Sequence, residues 1–506
     1  MGMRKVSVLV LLAILAVFAF GCKPRIISVS PKSPVTILVG QTQVFTVTAT
    51  GGGLSYEWWL DSQQQSSTTN AYTYSPTFDD IGDHMLEVIV SNKDGQVSYV
   101  WDVYVRFFEI SWEETYGGSG DDVAYSIQQT SDEGYIVAGS SNSTDITGVT
   151  NNGAKDYYVI KLDEDGNIVW HKMYGGSGDD IAYSIQQTSD EGYIVAGSSN
   201  STDITGVTNN GAKDYYVIKL DKDGNIVWHK MYGGSNNDIA RSIKETEDGG
   251  YIVGGYSSST DIPTQTNHGL TDAYTIKLDA SGNVVWQKLY GNISAEYVYS
   301  IQETTNTSGN ADGYIFAGNK NGLSYYVVRL DLDGDVMWSR IYFSIAHPGP
   351  GSAREIQQTV DGGYVVTGWI QEHSGENSDT ECYTIKLYPN GDKEWENLCG
   401  GSEWDKAFSI QEFDEGSGYI IVGTTESKDV PGGSGPANET YDVYISILNS
   451  ESTLLRHERH GGPGATDSGH SIAKTQNASG ETDGFIIAGQ WGSIYHDFYI
   501  IRLSTY

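Results

Sequence analysis

The sequence predicts an all-β protein: a small antiparallel sandwich followed by a seven-bladed β-propeller, a closed ring of four-stranded blades. Three observations lead there. A Trp recurs at 112, 170, 228, 286, 338 and 395, in steps of 58, 58, 58, 52 and 57 residues, and Arg456 takes the seventh position. Each copy holds four short apolar runs closed by Gly, Asp or Asn, for example 167–174, 181–188, 193–198 and 215–220. A fixed period with that content marks a repeat architecture. Finally, the last copy stops at 498–503 without its Trp-type strand, and 109–116 supplies a spare one. Pairing 109–116 with 498–503 closes the ring and hides both sheet edges.

The N-terminus comes first in the chain. Residues 1–21 carry Arg4 and Lys5 and then an apolar run from Val6 to Phe20, the layout of an export signal. That run is shorter than the roughly 20 residues a membrane-crossing helix needs. It ends at Ala19-Phe20-Gly21-Cys22, which resembles a bacterial lipobox. The resemblance implies cleavage before Cys22, lipid on that residue and 22–25 as an anchor segment. It places the rest of the chain in the cell envelope, held on a lipid bilayer and facing away from the cytoplasm.

Residues 26–106 show strand-like runs at 42–48, 55–60, 85–91 and 98–105, separated by Gly51-Gly52-Gly53, a polar stretch and Lys93-Asp94-Gly95. About eighty such residues suggest an antiparallel sandwich. Trp58 and Trp59 offer a central aromatic, and 80–84 has the form of an immunoglobulin-type corner with His84 where Tyr is usual. The stretch resembles polycystic-kidney-disease-type and related immunoglobulin-like modules of bacterial surface proteins, which implies a spacer or accessory role.

From 107 to 506 the copies repeat a Gly-Gly-Ser-Gly-Asp-Asp turn (175–180), a Tyr-x-x-x-Gly strand (193–197) and an Asp-aromatic strand ending in Lys-Leu-Asp (214–221). These features resemble the bacterial seven-bladed β-propeller repeat family. A weaker resemblance is to the tryptophan-docked propeller of quinone-dependent dehydrogenases, through Asp163, Gly166 and Trp170. High Gly (61) and Tyr (35) with sparse Pro (11) suit tight turns between aromatic-rich strands.

Acidic residues outnumber basic ones 65 to 30, so the surface repels phosphate backbones and nucleic-acid binding is disfavoured. The expected functional face gathers Asp121, Asp122, Asp179, Asp180 and Asp238 from the turns before inner strands, with Asp145, Asp203 and Asp261 from the Ser/Thr/Asn-rich loops. Paired carboxylates in Gly-rich turns can ligate calcium, the candidate cofactor; they can equally accept hydrogen bonds from turn amides. No complete twelve-residue calcium loop is present. His457, His460, His470 and His496 gather in the final copy without helix-borne ligand spacing. Recurrent Tyr and Trp read as core. Cys382 and Cys399 replace the Tyr157–Tyr174 pair together in one copy, which predicts a cross-strand disulfide.

No Gly-x-Ser-x-Gly elbow, His-Glu-x-x-His or phosphate-binding glycine loop occurs. The expected function is surface binding or scaffolding through the loop-rich acidic face, toward a protein or a polysaccharide. The alternative is an extracellular carbohydrate-active or quinone-dependent propeller enzyme. Copies 119–176 and 177–234 differ at few positions, such as Val123 against Ile181 and Glu164 against Lys222, which fits an expandable scaffold.

Overall fold

A computed structural model describes residues 22–322, 324–344, 349–371, 379–430, 441–462, 465–492 and 495–505. The export signal read at 1–21 lies outside the described residues, and Cys22 stands exposed with a free thiol. The chain divides into two compact units, 1–107 and 108–506.

The first unit packs two sheets. One orders Arg25–Ser30, Gln43–Thr50 and Ala71–Tyr74; the other orders Val35–Leu38, Gly95–Arg106, Gly82–Asn92, Ser55–Leu60 and Gln63–Gln64. Between them lie Phe45, Trp58, Leu86, Val88, Trp101 and Val103, all at 0% exposure. The Trp58 and Trp101 rings stack at 5.6 Å, and each indole N–H donates to a carbonyl, Thr69 and Pro31 respectively. At the corner, His84 lies 2.6 Å from the Asp80 carbonyl oxygen through Nε2 and 2.6 Å from the Asp61 carboxylate through Nδ1. Four strands lie outside the runs legible in sequence: 25–30, 35–38, 63–64 and 71–74. All are short edge strands, held by pairing with a neighbour more than by an apolar run of their own.

In the second unit, seven four-stranded sheets follow one another. Sheet 1 contains Asp122–Gln129, Tyr135–Ser141, Asp156–Leu162 and Ile168–Tyr174, and sheet 2 contains Asp180–Gln187, Tyr193–Ser199, Asp214–Leu220 and Ile226–Tyr232. Sheets 3 to 6 begin with Asp238–Glu245, Glu296–Thr305, Gly351–Gln358 and Asp405–Glu412. Sheet 7 joins Ser468–Gln476, Thr482–Trp491 and Asp497–Ser504 to Glu109–Tyr116, with Phe498 opposite Tyr116 and Arg502 opposite Trp112. Sheet 7 packs on sheet 1 through Ile486, Ala488, Phe498 and Ala124, so the arrangement is a closed, propeller-like ring. In sheet 2 the second and third strands are buried along their whole length, as expected of sheets covered on both faces.

The repeat residues explain the ring. Outer-strand Trp112, Trp170, Trp228 and Trp286 each donate an indole hydrogen bond to the tight turn of the next sheet, at Glu164, Lys222, Ala280 and Leu332. Gly166 in that turn has φ +84°, and a Cβ there would strike the Trp112 ring at 3.2 Å. The Tyr116, Tyr174 and Tyr232 hydroxyls donate to the carbonyls of the same turns at 2.6 Å. Lys161, Lys219 and Lys277, nearly fully buried, reach hairpin carboxylates Asp132, Asp190 and Asp248. Cys382 and Cys399 sit opposite each other where Tyr157 and Tyr174 pair in sheet 1, 5.0 Å apart at Cα, and are joined by a disulfide.

Candidate functional site

The inner strand of each sheet carries a bulge near its start, where the register slips by one residue. It falls between Ala124 and Ser126, Ala182 and Ser184, Ala240 and Ser242, Val298 and Ser300, Ala353 and Glu355, Ala407 and Ser409, and Gly469 and Ser471. A bulge leaves one residue out of the ladder and re-aims it. The seven residues released are Tyr125, Tyr183, Arg241, Tyr299, Arg354, Phe408 and His470. They form a collar around the central channel and line a cavity of about 360 Å³.

Collar contacts run from one sheet to the next. His470 stacks on Tyr125 at 5.4 Å, Tyr125 meets Tyr183 at 5.2 Å, and Phe408 meets His470 edge-on at 5.6 Å. Arg241 lies 3.9 Å over Tyr183, and Arg354 lies 4.3 Å over Tyr299, both in cation–π range. Below the collar, the Ile127, Ile185, Ile243, Ile301 and Ile472 amides donate to Ser471, Ser126, Ser184, Ser242 and Ser409 of neighbouring sheets. In sheet 5, Glu355 replaces that serine and accepts from Ile410 N–H at 2.8 Å.

The charges in the channel are unlike the chain's. Arg241, Lys244, Arg354 and Lys474 line the cavity, against one carboxylate, Glu355. Lys474 pairs with Asp414 at 3.0 Å. Among the described residues the Nε–H donors of Arg241 and Arg354 are sealed from solvent without a hydrogen-bond partner, while Arg241 Nη2 reaches the Tyr256 hydroxyl at 3.5 Å. No hydrogen bond or ion pair holds Lys244 among the described residues; burial pushes its ammonium down from the usual lysine range. Burial raises the Glu355 carboxyl, opposed by its hydrogen bonds to Ser409 and Ile410. Burial lowers the His470 imidazole to about 4, so it is neutral at pH 7. A buried N–H donor left without a hydrogen bond is costly, so these Nε–H groups suit an incoming anion.

The Asp residues expected to form a functional face are brought together sheet by sheet, but several are committed inside the fold. Asp122, Asp180 and Asp238 are fully buried. Asp180 Oδ2 accepts from Gly176 N–H and the Ser201 hydroxyl, and Asp122 and Asp238 repeat the pattern. Asp145, Asp203 and Asp261 are exposed and accept from the Ser119, Ser177 and Ser235 amides, which hold their carboxyls below the usual range. The backbone amides of Asp121 and Asp179 are capped by Asn142 and Asn200. These are the turn hydrogen bonds weighed above against calcium ligation. Among the described residues, no three His, Cys, Asp or Glu side chains converge as a metal set.

The four late histidines are separated. His470 is in the collar, His457 and His460 are on the outer strand Leu454–His460, and His496 sits 3.2 Å from Asp121. None of the residues lining the channel cavity comes from the loops at the acidic end. Arg241, Lys244, Arg354 and Glu355 were not among the sequence candidates. The signal lay in the repeat itself: Ile-Ala-Tyr-Ser-Ile-Gln of sheet 2 becomes Ile-Ala-Arg-Ser-Ile-Lys in sheet 3.

No family model and no curated protein matches the chain. Among solved structures it is similar to the hydrazine synthase of Kuenenia stuttgartiensis at 11% identity, over 74% of this chain and 94% of that one, with a TM-score of 0.46. A quinoprotein alcohol dehydrogenase-like protein of Bacteroides thetaiotaomicron is similar at 11% identity, over 96% and 99% of the two chains, with a TM-score of 0.33. A DUF4623 family protein of Bacteroides eggerthii is similar at 10% identity, over 92% and 89%, with a TM-score of 0.32.

Proposed function

We propose that this is an exported binding protein, anchored through lipid on Cys22, in which an immunoglobulin-like module accompanies a seven-bladed propeller whose channel takes an anionic ligand. The observation that carries the reading is the pair of guanidiniums, Arg241 and Arg354, set among Tyr rings with sealed, unpartnered Nε–H donors. They sit in a chain of formal charge −35. The ligand class is an acidic saccharide: its carboxylate satisfies the guanidiniums and its ring faces the aromatic collar. A cavity of about 360 Å³ is at the size of small-ligand sites. This moves the binding site from the loop-rich acidic face to the channel. Among the described residues the cavity wall offers the enzymatic alternative one carboxylate, Glu355, where paired acid–base chemistry asks for two.

Calorimetric titration of the full chain with a uronic-acid oligosaccharide and its neutral counterpart tests the proposal. The acidic sugar binds, the neutral one binds at least about tenfold more weakly, and Arg241→Met with Arg354→Met abolishes the difference. Equal binding of both sugars, or an unchanged acidic affinity in the double variant, overturns it.

A further inference from the structure

The repeat breaks at the loop-rich end of sheet 4. In sheets 1 to 3 the second and third strands are joined by 142–155, 200–213 and 258–271, whereas in sheet 4 only 321–323 stand between Ala311–Lys320 and Ser324–Leu330. The turn before the inner strand, Gly-Gly-Ser-Gly-Asp-Asp at 175–180, becomes Gly-Asn-Ile-Ser-Ala-Glu at 291–296. Tyr297 stands where sheets 1 to 3 have Val123, Ile181 and Ile239, and opposite it Asn319 stands where sheets 1 and 2 have Ser140 and Ser198.

With the long loop gone, a second cavity of about 510 Å³ opens at this edge, lined by residues that include Leu270, Ile293, Tyr297, Tyr299, Asn319 and Asn321. Tyr299 lines the channel cavity as well, so one ring borders both. That ring lies where the collar is charged: Arg354 is 4.3 Å and Arg241 5.8 Å from its centre. Two residues nearer the turn, Tyr297 lies nearly parallel to Tyr299 with ring centres 6.3 Å apart, and Tyr256 meets Tyr297 edge-on at 4.8 Å. The Asn319 amide donates to the Ser352 hydroxyl at 3.2 Å and to the Tyr299 hydroxyl at 3.4 Å, which fixes this wall. Leu270 and Ile293, 80% and 89% exposed, stand at its outer lip. Half-exposed tyrosines beside side-chain amides offer a sugar ring a face to pack on and partners for its hydroxyls.

We infer that the channel ligand is a chain rather than a single sugar: its acidic end unit sits at the Arg241–Arg354 collar, and the following units run out over Tyr299 and Tyr297 and leave through the gap at the edge of sheet 4. This rests on the acidic-saccharide reading of the channel, and adds to it the length of the ligand and the direction of its path.

Calorimetric titration of the full chain with galacturonic acid and with its α-1,4-linked tetramer tests the path. The tetramer is expected to bind at least about tenfold more tightly than the monomer. Tyr297→Ile, which restores the residue of sheets 2 and 3, brings the tetramer down toward the monomer's affinity and leaves the monomer unchanged. Ile293→Asp, at an exposed position, also weakens the tetramer alone, because its carboxylate repels an acidic chain; it carries the test where Tyr297→Ile does not fold. Equal affinities for the two sugars, a tetramer affinity that either folded variant leaves unmoved, or variants that weaken both sugars alike overturn the path and leave the acidic-saccharide reading in place. Binding of neither sugar overturns that reading and this inference together.

Discussion

The loop-rich end of the ring and the wall of its channel handle charge in opposite ways. At the loop-rich end the aspartates are numerous, yet those in the turns accept hydrogen bonds from Gly and Ser and hold the turns in place. In the channel the charges are few, and among the described residues the Nε–H donors of Arg241 and Arg354 have no hydrogen-bond partner. Abundance of a residue type at one end therefore reports on construction. Unmet hydrogen-bonding capacity reports on a ligand.

Substitutions can break this contrast, and Gly175→Ala has the largest expected effect. Its Cβ would overlap the Asp156 and Asp180 carboxylates, at 2.3 and 2.5 Å, and overpacking of this kind costs about 1–3 kcal/mol or more. Denaturant unfolding of the full chain measures it, with Gly52→Ala, which meets nothing within 4 Å, as the control. Next is reduction of Cys382–Cys399. The bridge spans 17 residues, and closing a loop of that size contributes up to about 3 kcal/mol. The thermal midpoint should fall under reductant and should not fall further when reductant is applied to Cys382→Ala.

The channel side should respond differently. Arg354→Met removes a buried charge that no carboxylate pairs among the described residues, so its midpoint is equal to or above the wild type's although acidic-ligand affinity falls. A lowered midpoint would show that the guanidinium serves the fold. The pH response of His470 is smaller. Its folded value, about 4, lies below the ordinary 6.5, so the unfolded chain takes up the proton first. Its contribution is full above pH 6.5 and is lost as pH falls toward 4, at no more than about 1.4 kcal/mol per pH unit and less because the ring borders the channel. His470→Phe, copying Phe408, should flatten that acid limb. Asp203→Ala, at an exposed loop acid, should change the midpoint least and leave ligand binding intact.

Much of the ring was legible because its period is a property of the chain: Trp spacing, turn residues and the spare strand at 109–116 all follow from local order. The disulfide pair was legible for the same reason, since equal distances from a hairpin turn place residues opposite each other. The edge strands of the first unit were not, because their neighbours hold them. The acidic turns were visible, but their burial was not.

The sequence by itself determined an all-β chain of repeated four-strand units, because side-chain periodicity and turn chemistry act over a few residues. Only the tertiary structure decided which charges meet. Asp156 faces Asp180 across a seam, and Arg241 and Arg354 meet Tyr rings in the collar, through contacts between different sheets. The bulge that turns one residue of each inner strand into the channel fixes the site. It arises from pairing between strands, which a linear reading does not contain.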